Sequence, residues 1–375
     1  MKATNNGAGL AADRCEAQSL DHAQRDCYCA TSSRFSSLSH DGGLYRPFLD
    51  EQRLAAGDSP PIWPNGAPFA VCLTHDVDNV AWHTPLMHLR QVRNRAPAAA
   101  LHRESRAIRG LGASAVDFFT ALARRRRADP LFCYEHWLEM EATVGARSTF
   151  LFLPNRYGKR HYSDGGYRYD DRVMFDAQPC SVREMMREIH CRGWEVGLHA
   201  SWNSFNSVAE MKRQKEQVEE AIGATVRSVR HHHLHFDIRC TPHVHHEAGL
   251  RVDSSVGFND DIGFRYGTSL PWRLRDVRND EPLDVLELPL VIQEKCLIRI
   301  LAQGRKNEAL ERADRLIRRV RAVGGLLTLL WHPETIRFPI FVEVYRSLLA
   351  SLRDQGAWFG TMAEVDDWWR RRMLA

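Results

Sequence analysis

The chain has 375 residues, with 51 Lys and Arg against 47 Asp and Glu, a formal net charge of +4. This length exceeds what one core needs, and so mild a charge argues against nucleic-acid binding. No run of about 18 apolar residues occurs, so we expect no membrane-spanning helix. The nine cysteines are irregularly spaced and form no C-x-x-C pair, which favours reduced thiols in a cytoplasmic protein.

The N-terminal part of the chain is predicted to be irregular. Residues 1–65 contain a flexible leader rich in Ser, Ala, Asp and Asn, followed by a lead-in loop with Pro and Gly. The stretch Met1–Arg14 lacks the apolar region of a signal peptide, which again predicts a cytoplasmic location. Residues 66–375 are interpreted as one α/β domain with a basic insertion near 80–128. A solvated helical face is favoured for this insertion over a membrane-surface or anionic-substrate role.

Strands and helices alternate along the rest of the chain. The apolar runs predict strands near 69–75, 148–153, 194–199, 226–232, 250–254, 285–291, 326–331 and 357–360. Helices are predicted near 134–144, 181–193, 207–223, 241–248, 305–323, 339–354 and from 361 onward, three of them opened by the capping-box patterns at Ser181, Ser207 and Thr361. The alternation predicts parallel strands in a closed or nearly closed (β/α) barrel of about seven strands. In such a barrel the chemistry lies at the C-terminal strand ends.

Two carboxylates mark the end of the first predicted strand. Asp76 and Asp78 are two residues apart, so their side chains point the same way on a strand. Burying an unpaired charge is costly, so either a cation meets these acids or they lie in an open cleft. We therefore expect Asp76 and Asp78 to form the floor of an active site.

Three later predicted strands also end in polar side chains. They carry His199, then Arg230 with His232 two residues on, and finally His332. A lone strand-end histidine is more often structural, but four such ends in one βα rhythm favour a common site. Asp and His side chains suit zinc or a similar divalent ion, and a bound water would lose its proton readily. Together with an acid–base pair, these parts predict hydrolysis of an amide or ester.

The order of these motifs resembles the polysaccharide deacetylase family, that is, carbohydrate esterase family four with its NodB-homology domain. The match covers about residues 66–370, and Thr74-His75-Asp76-Val77-Asp78 resembles the family's first motif, T-F-D-D. The segments Glu195–His199 and Leu329–Pro333 resemble its second and fifth motifs. The resemblance implies a distorted, incomplete (β/α) barrel that removes N- or O-acetyl groups from sugars with a divalent metal.

The resemblance also implies roles for single residues. Asp76 falls on the general base, Arg230 on the arginine that holds this base, and His332 on the general acid. His199 falls on the first metal histidine. The segments 249–255 and 263–269 further resemble deacetylases of exopolysaccharide assembly.

Two positions depart from the family pattern. Val77 stands where the family has its metal aspartate, so Asp78 must serve if a metal binds. Asn203 stands where the family has its second metal histidine. Strand parity favours His232 as the replacement, whereas His231 or His233 would take the place if the strand bulges.

Substrate contacts are expected from residues near the strand ends. Trp202 follows His199 and would wall the acetyl pocket, while Arg265 and Tyr266 are candidate sugar or phosphate contacts on a loop. Core packing is the alternative for all three side chains. The polar–aromatic loop 161–170 suits carbohydrate, or serves as a lid without direct contact.

The sequence therefore predicts a metal-dependent deacetylase that acts on an acetylated sugar or glycan precursor. Asp78, His199 and His232 would hold the ion, with zinc expected, while Asp76, Arg230 and His332 would carry the proton chemistry. One alternative is a metal-free glycosidase that pairs Asp76 or Asp78 with an acid such as Glu334. The other is a degenerate, non-catalytic carbohydrate-binding relative, which the departure at Asn203 would explain.

Overall fold

The computed structural model describes residues 45–80, 133–155, 164 and 166–374. The predicted leader before residue 45, nearly all of the basic insertion and part of the loop 161–170 therefore lie outside the described residues. Within the described ranges no helix is both long and apolar enough to cross a membrane.

Twelve strands occur in the described chain. Their bounds are Ala70–Val77 (β1), Thr149–Phe152 (β2), Arg172–Phe175 (β3), Gln178–Ser181 (β4), Glu195–Ala200 (β5), Ser228–His231 (β6), Val252–Asp253 (β7), Trp272–Asp276 (β8), Glu281–Glu287 (β9), Leu290–Gln293 (β10), Leu326–Leu330 (β11) and Trp358–Phe359 (β12). All but β3 and β4, which form a separate hairpin, belong to one sheet.

The large sheet is curled and mostly parallel. Its spatial order is β10-β11-β1-β2-β5-β6-β7-β9-β8, with β12 paired to the start of β1. Every neighbouring pair in this order is parallel except the antiparallel pair of β8 and β9, and β12 is parallel to β1, so nine of the ten strands run the same way. Because β10 and β8 do not pair in the described chain, the sheet is a half-barrel. This finding confirms the predicted distorted, incomplete barrel, with nine parallel strands where about seven were expected.

Nine α-helices accompany the sheet in the described chain. Their bounds are Phe48–Ala55 (α1), Glu135–Ala142 (α2), Val182–Cys191 (α3), Val208–Ile222 (α4), Thr241–Glu247 (α5), Glu294–Ala302 (α6), Lys306–Ala322 (α7), Pro339–Asp354 (α8) and Met362–Leu374 (α9). The main hydrophobic core lies between the outer face of the sheet and these helices, which bury side chains such as Met186, Leu316 and Leu348. Ser181 and Glu184 form the predicted capping box at the start of α3.

Strand β1 lies in the middle of the sheet and all eight of its residues are buried. Alternate side chains face the barrel interior, where Ala70 and Cys72 join an apolar cluster with Met362 of α9. Farther along the same face the residues become polar, first Thr74 and then Asp76. The interior of the half-barrel is thus apolar at the N-terminal strand ends and polar at the C-terminal ends, where Asp76 lies.

The predicted lead-in loop contains a helix that the sequence pattern did not indicate. Helix α1 lies on the segment 267–269, where its Asp50 accepts hydrogen bonds from the backbone and hydroxyl of Ser269 at 2.7 and 2.8 Å. Its Phe48 ring occupies the space that a Cβ at Gly267 would need. Eight residues are too few for a stable isolated helix in water, so this tertiary contact explains the helix better than propensity does.

Candidate metal centre and active site

Asp76 and Arg230 form a buried ion pair inside the half-barrel, although two strands separate β1 from β6. Arg230 Nη1 donates to Asp76 Oδ1 at 2.8 Å and to Thr74 Oγ1 at the same distance. Its Nε and Nη2 donate to the backbone and hydroxyl oxygens of Ser254 at 2.7 and 2.9 Å. The guanidinium is therefore held in one orientation with a donor aimed at Asp76.

The surroundings of Asp76 keep this carboxylate charged. Burial raises the pKa of Asp76, but the neighbouring His199, Arg230 and His332 outweigh it and hold the pKa below its usual value. Asp76 is thus a carboxylate fixed by one arginine, with its second oxygen, Oδ2, 3.7 Å from His199 Nε2.

Asp78, His199 and His232 meet beside this pair. Asp78 follows the last residue of β1, His199 lies on β5 and His232 follows β6. Asp78 Oδ1 is 3.2 Å from His199 Nε2 and 3.6 Å from His232 Nε2. One ligand atom from each of the three buried residues lies within 4.8 Å of the others, the spacing of a possible metal site.

Both histidines are oriented with Nε2 toward Asp78. His199 Nδ1 donates to the backbone oxygen of Arg230 at 2.9 Å. His232 Nδ1 donates to Asp164 Oδ1 at 3.1 Å. Since Nδ1 carries a proton in each ring, Nε2 offers a lone pair whenever the ring is neutral, and such a hydrogen bond behind the ring is typical of metal-binding histidines.

The charges of this cluster favour a cation. Asp78 Oδ1 is buried and has no hydrogen-bond partner among the residues that the structure describes, which is costly unless a cation meets it. Burial raises the pKa of Asp78, but Lys295 and His232 outweigh it and hold the pKa well below the usual value. Burial lowers the pKa of His232, but Asp78 and Asp164 raise it to about 9. The donor set and its charge thus fit a divalent ion, which on binding would displace the extra proton of His232.

His332 approaches the same cluster from the end of β11. Its Nε2 is 3.7 Å from Asp78 Oδ2, and its Nδ1 donates to Glu294 Oε1 at 2.6 Å. Burial lowers the pKa of His332, but Glu294 and Asp78 outweigh burial and raise it above the ordinary value, while Lys295 opposes them. The imidazole therefore holds a proton well and presents Nε2 to the cleft.

Three residues of the cluster were missed by sequence reasoning. Glu294 and Lys295 open α6, directly after β10, and bind His332 and Asp78 respectively. The apolar run Leu290–Ile292 followed by polar residues is the same strand-end signal that pointed to the other four strands. Asp164, which lies in the predicted polar–aromatic loop, could not be selected among the many polar residues there.

The alternatives to His232 point elsewhere. His231 lies on the opposite side of β6, and its Nε2 is 2.9 Å from Nε2 of the buried His245. His233 is exposed with a positive φ of 58°, and Asn203 is exposed as well. The structure therefore brings only His232 of the triplet into the cluster with Asp78 and His199.

The three predicted substrate contacts, Trp202, Arg265 and Tyr266, differ in their burial and in their partners. Trp202 is half-buried and stacks on His235 with ring centroids 4.0 Å apart, and its backbone N–H donates to Asp164. Arg265 Nη1 donates to the backbone oxygen of Gly257 at 2.6 Å. Tyr266 is 7% exposed and packs in an apolar cluster against Trp272, the core packing that was the alternative for this residue. We therefore interpret Tyr266 as a core residue.

Comparisons with known proteins support the fold. Neither a protein-family model nor a curated protein matches the sequence. A putative polysaccharide deacetylase from Mycobacterium smegmatis has a similar structure, with a TM-score of 0.53 and 19% identity over 85% of this chain and 96% of that one. Puue allantoinase is also similar, with a TM-score of 0.52 and 12% identity over 84% of this chain and 95% of that one.

This similarity shows a shared fold. The two neighbours carry the names of different activities, and a fold does not determine the reaction that it supports. The function must therefore be argued from the side chains of the cleft.

Proposed function

We propose that this chain is a metal-dependent hydrolase of the polysaccharide deacetylase family, which removes an N-acetyl or O-acetyl group from a sugar or glycan precursor. The observation that carries the proposal is the convergence of an Asp–His–His cluster, an Asp–Arg pair and a His–Glu pair at one end of the half-barrel. Zinc is the proposed ion, since one carboxylate and two imidazoles suit it. A role in exopolysaccharide assembly remains part of the proposal.

The ion would be held by Asp78 Oδ1 and by Nε2 of His199 and His232. When bound, it would act as a Lewis acid on the acetyl carbonyl and lower the pKa of a coordinated water. Asp76, kept ionised by Arg230, accepts the proton of the attacking water through Oδ2. His332 then donates a proton from Nε2 to the leaving amine or hydroxyl, while Glu294 keeps hold of Nδ1–H.

The two alternatives explain the cluster less well. A metal-free glycosidase needs no pair of histidines with Nε2 directed at a carboxylate, yet His199 and His232 both have this orientation toward Asp78. Glu334, its candidate second acid, is half-buried, and burial raises its pKa to about 7, which suits a general acid, so the orientation of the two histidines alone disfavours the glycosidase. A degenerate binding protein was suggested by Asn203, but His232 supplies the second imidazole from another strand.

Metal analysis together with acetate release tests the proposal. Purified wild-type protein should hold about one divalent ion per chain, and His199→Ala should lose it because three ligands become two. The matched control is His246→Ala, which removes an exposed histidine of α5 and should leave the metal content unchanged. Acetate release from N-acetylglucosamine oligomers and from O-acetylated xylan would then be measured for each protein.

Asp76→Asn separates binding from chemistry. This variant should retain the ion and lose about 10²–10⁴-fold of the acetate-release rate, as expected for removal of a general base. Wild-type protein without a stoichiometric ion would contradict the metal mechanism. Wild-type protein that holds the ion and binds glycan but releases no acetate would favour the non-catalytic relative.

A further inference from the structure

Lys295 places a second cation against the proposed metal ligand Asp78. Its Nζ is 3.1 Å from Asp78 Oδ2. The carboxylate is 9% exposed, whereas the lysine side chain is 44% exposed and so reaches inward from the rim of the cleft. Lys295 has no role in the hydrolysis proposed above, so its positive charge beside Asp78 needs a separate explanation.

The two oxygens of Asp78 are divided between two kinds of partner. Oδ1 faces the Nε2 atoms of His199 and His232, whereas Oδ2 faces Lys295 and His332. A divalent ion at the histidines would therefore meet only Oδ1. With the ammonium against Oδ2, an ion that took both oxygens would lie next to a like charge, so Lys295 favours contact through Oδ1 alone.

The start of α6 fixes the backbone position of Lys295. It is the second residue of α6, whose first residue, Glu294, is buried and bound to His332. The backbone at this helix start is thus fixed on one side by the Glu294–His332 contact. The adjacent side chain of Lys295 then extends to Asp78 across the same cleft.

We propose that Lys295 is a built-in counter-cation of Asp78, which holds this carboxylate monodentate and lowers the affinity of the site for the divalent ion. The proposal rests on the metal site of the proposed function. Without the ion, the ammonium neutralises a buried carboxylate that would otherwise be costly. With the ion bound, two like charges share one carboxylate in a partly desolvated cleft, so the lysine opposes ion binding.

The experiment measures zinc affinity by competition with a chromogenic chelator. Lys295→Met removes the ammonium group and keeps a side chain of similar length. The dissociation constant for zinc should therefore fall about tenfold or more. Lys295→Arg keeps the charge and should stay within about threefold of wild type. Lys306→Met is the matched control, since it removes a lysine from an exposed ion pair with Glu343, and should change the constant by less than about twofold.

Thermal unfolding gives a second result that loss of packing alone would not produce. In chelator, Lys295→Met should unfold at a lower temperature than wild type, because Asp78 loses its neutralising charge. In saturating zinc the difference should shrink or reverse, because the ion now meets the carboxylate without competition. A deficit of equal size in both conditions would mean a packing role and would overturn the proposal.

The remaining outcomes are decisive as well. An unchanged or weaker zinc affinity in Lys295→Met overturns the proposal, as does a failure of both proteins to bind zinc. Acetate release is measured separately. If zinc binds more tightly to Lys295→Met but no protein releases acetate, the deacetylase function is contradicted. The role of Lys295 is still supported in that case.

Discussion

His332 shows how one neighbour sets the chemistry of a side chain. Burial by itself lowers the pKa of His332, and the contact with Glu294 is the largest influence that raises it. A raised pKa means that the imidazole stays protonated, and so able to act as an acid, to a higher pH than usual. Glu294 is therefore a positioning residue that also tunes the proposed general acid.

Replacing Glu294 tests this influence. In Glu294→Gln the amide still accepts a hydrogen bond from Nδ1, but the negative charge is gone, so the pKa of His332 should fall. The alkaline limb of kcat/KM should consequently move to lower pH, while the acid limb stays in place. The measurement is a pH profile of acetate release by the wild type and the variant. An unmoved alkaline limb would mean that His332 is not the group titrating there.

The individual site residues could be predicted from strand ends, with limits that have physical causes. Asp76, Asp78 and His199 follow from polar residues at the ends of apolar runs, and parity placed His232 correctly beside Asp78. The packing of Tyr266 in an apolar cluster could not be predicted, because a loop tyrosine can face solvent or core and only the tertiary fold decides between them. Lys295 depends on a helix start that the pattern did not reveal.

Helix α3 illustrates structure that local sequence does specify. The hydroxyl of Ser181 accepts a hydrogen bond from the backbone of Glu184 at 3.2 Å, and the Glu184 carboxylate accepts one from the backbone of Ser181 at 2.7 Å. Both bonds satisfy N–H groups that a helix start leaves without partners. The sequence S-x-x-E was therefore sufficient to place this helix start.

Removal of the cap should weaken the fold by a small and measurable amount. Ser181→Ala should lower the free energy of unfolding by about 1 kcal/mol, the usual cost of losing a serine N-cap. The matched control is Ser347→Ala on the exposed face of α8, where the hydroxyl bonds to the Glu343 backbone oxygen within the helix. That change should be neutral or slightly stabilising. Urea unfolding measures both, and equal losses would contradict the capping role.

Other elements escaped prediction because their signals are tertiary or atypical. The hairpin of β3 and β4 turns through Asp176 and Ala177, both with positive φ, without the glycine that usually marks such a turn. The single strand predicted over 285–291 is two strands, β9 and β10. Pro289 lies between them and, lacking an N–H, could have marked the break.

At the scale of the whole molecule, buried polar contacts join distant segments behind the site. Glu141 of α2 is fully buried and accepts hydrogen bonds from His75 Nε2 at 2.7 Å, Trp194 Nε1 at 2.6 Å and the Tyr345 hydroxyl at 2.8 Å. These partners lie on β1, immediately before β5, and on α8. Glu141 thus ties two strands that carry site residues to helices on the outside of the sheet.

Loss of this contact should affect the entire fold. Glu141→Ala leaves three buried donors without an acceptor, so the free energy of unfolding should fall by about 3 kcal/mol or more. Glu343→Ala removes an acid of an exposed ion pair with Lys306 and should cost less than about 1 kcal/mol. Chemical unfolding followed by circular dichroism compares the two. A loss below that of Glu343→Ala would mean that the three donors find other partners.

The half-barrel itself could be predicted from the alternation of strands and helices, since parallel strands need such crossovers. The open edge of the half-barrel could not be predicted, because β8 and β10 end the sheet through packing that no local pattern encodes. The meeting of Asp76 and Arg230 was expected from the family resemblance, and its physical cause is the curl of the sheet, which brings the two residues together across two intervening strands. The site therefore depends on the global fold more than on any one motif.

The central claim is that residues from three strand ends hold one divalent ion. Anomalous diffraction at the zinc absorption edge, from crystals grown with zinc, tests it most directly. We predict a single strong peak about 2.0–2.2 Å from Asp78 Oδ1 and from Nε2 of both His199 and His232. No peak at this position, or a peak that shares none of these three ligands, would contradict the account.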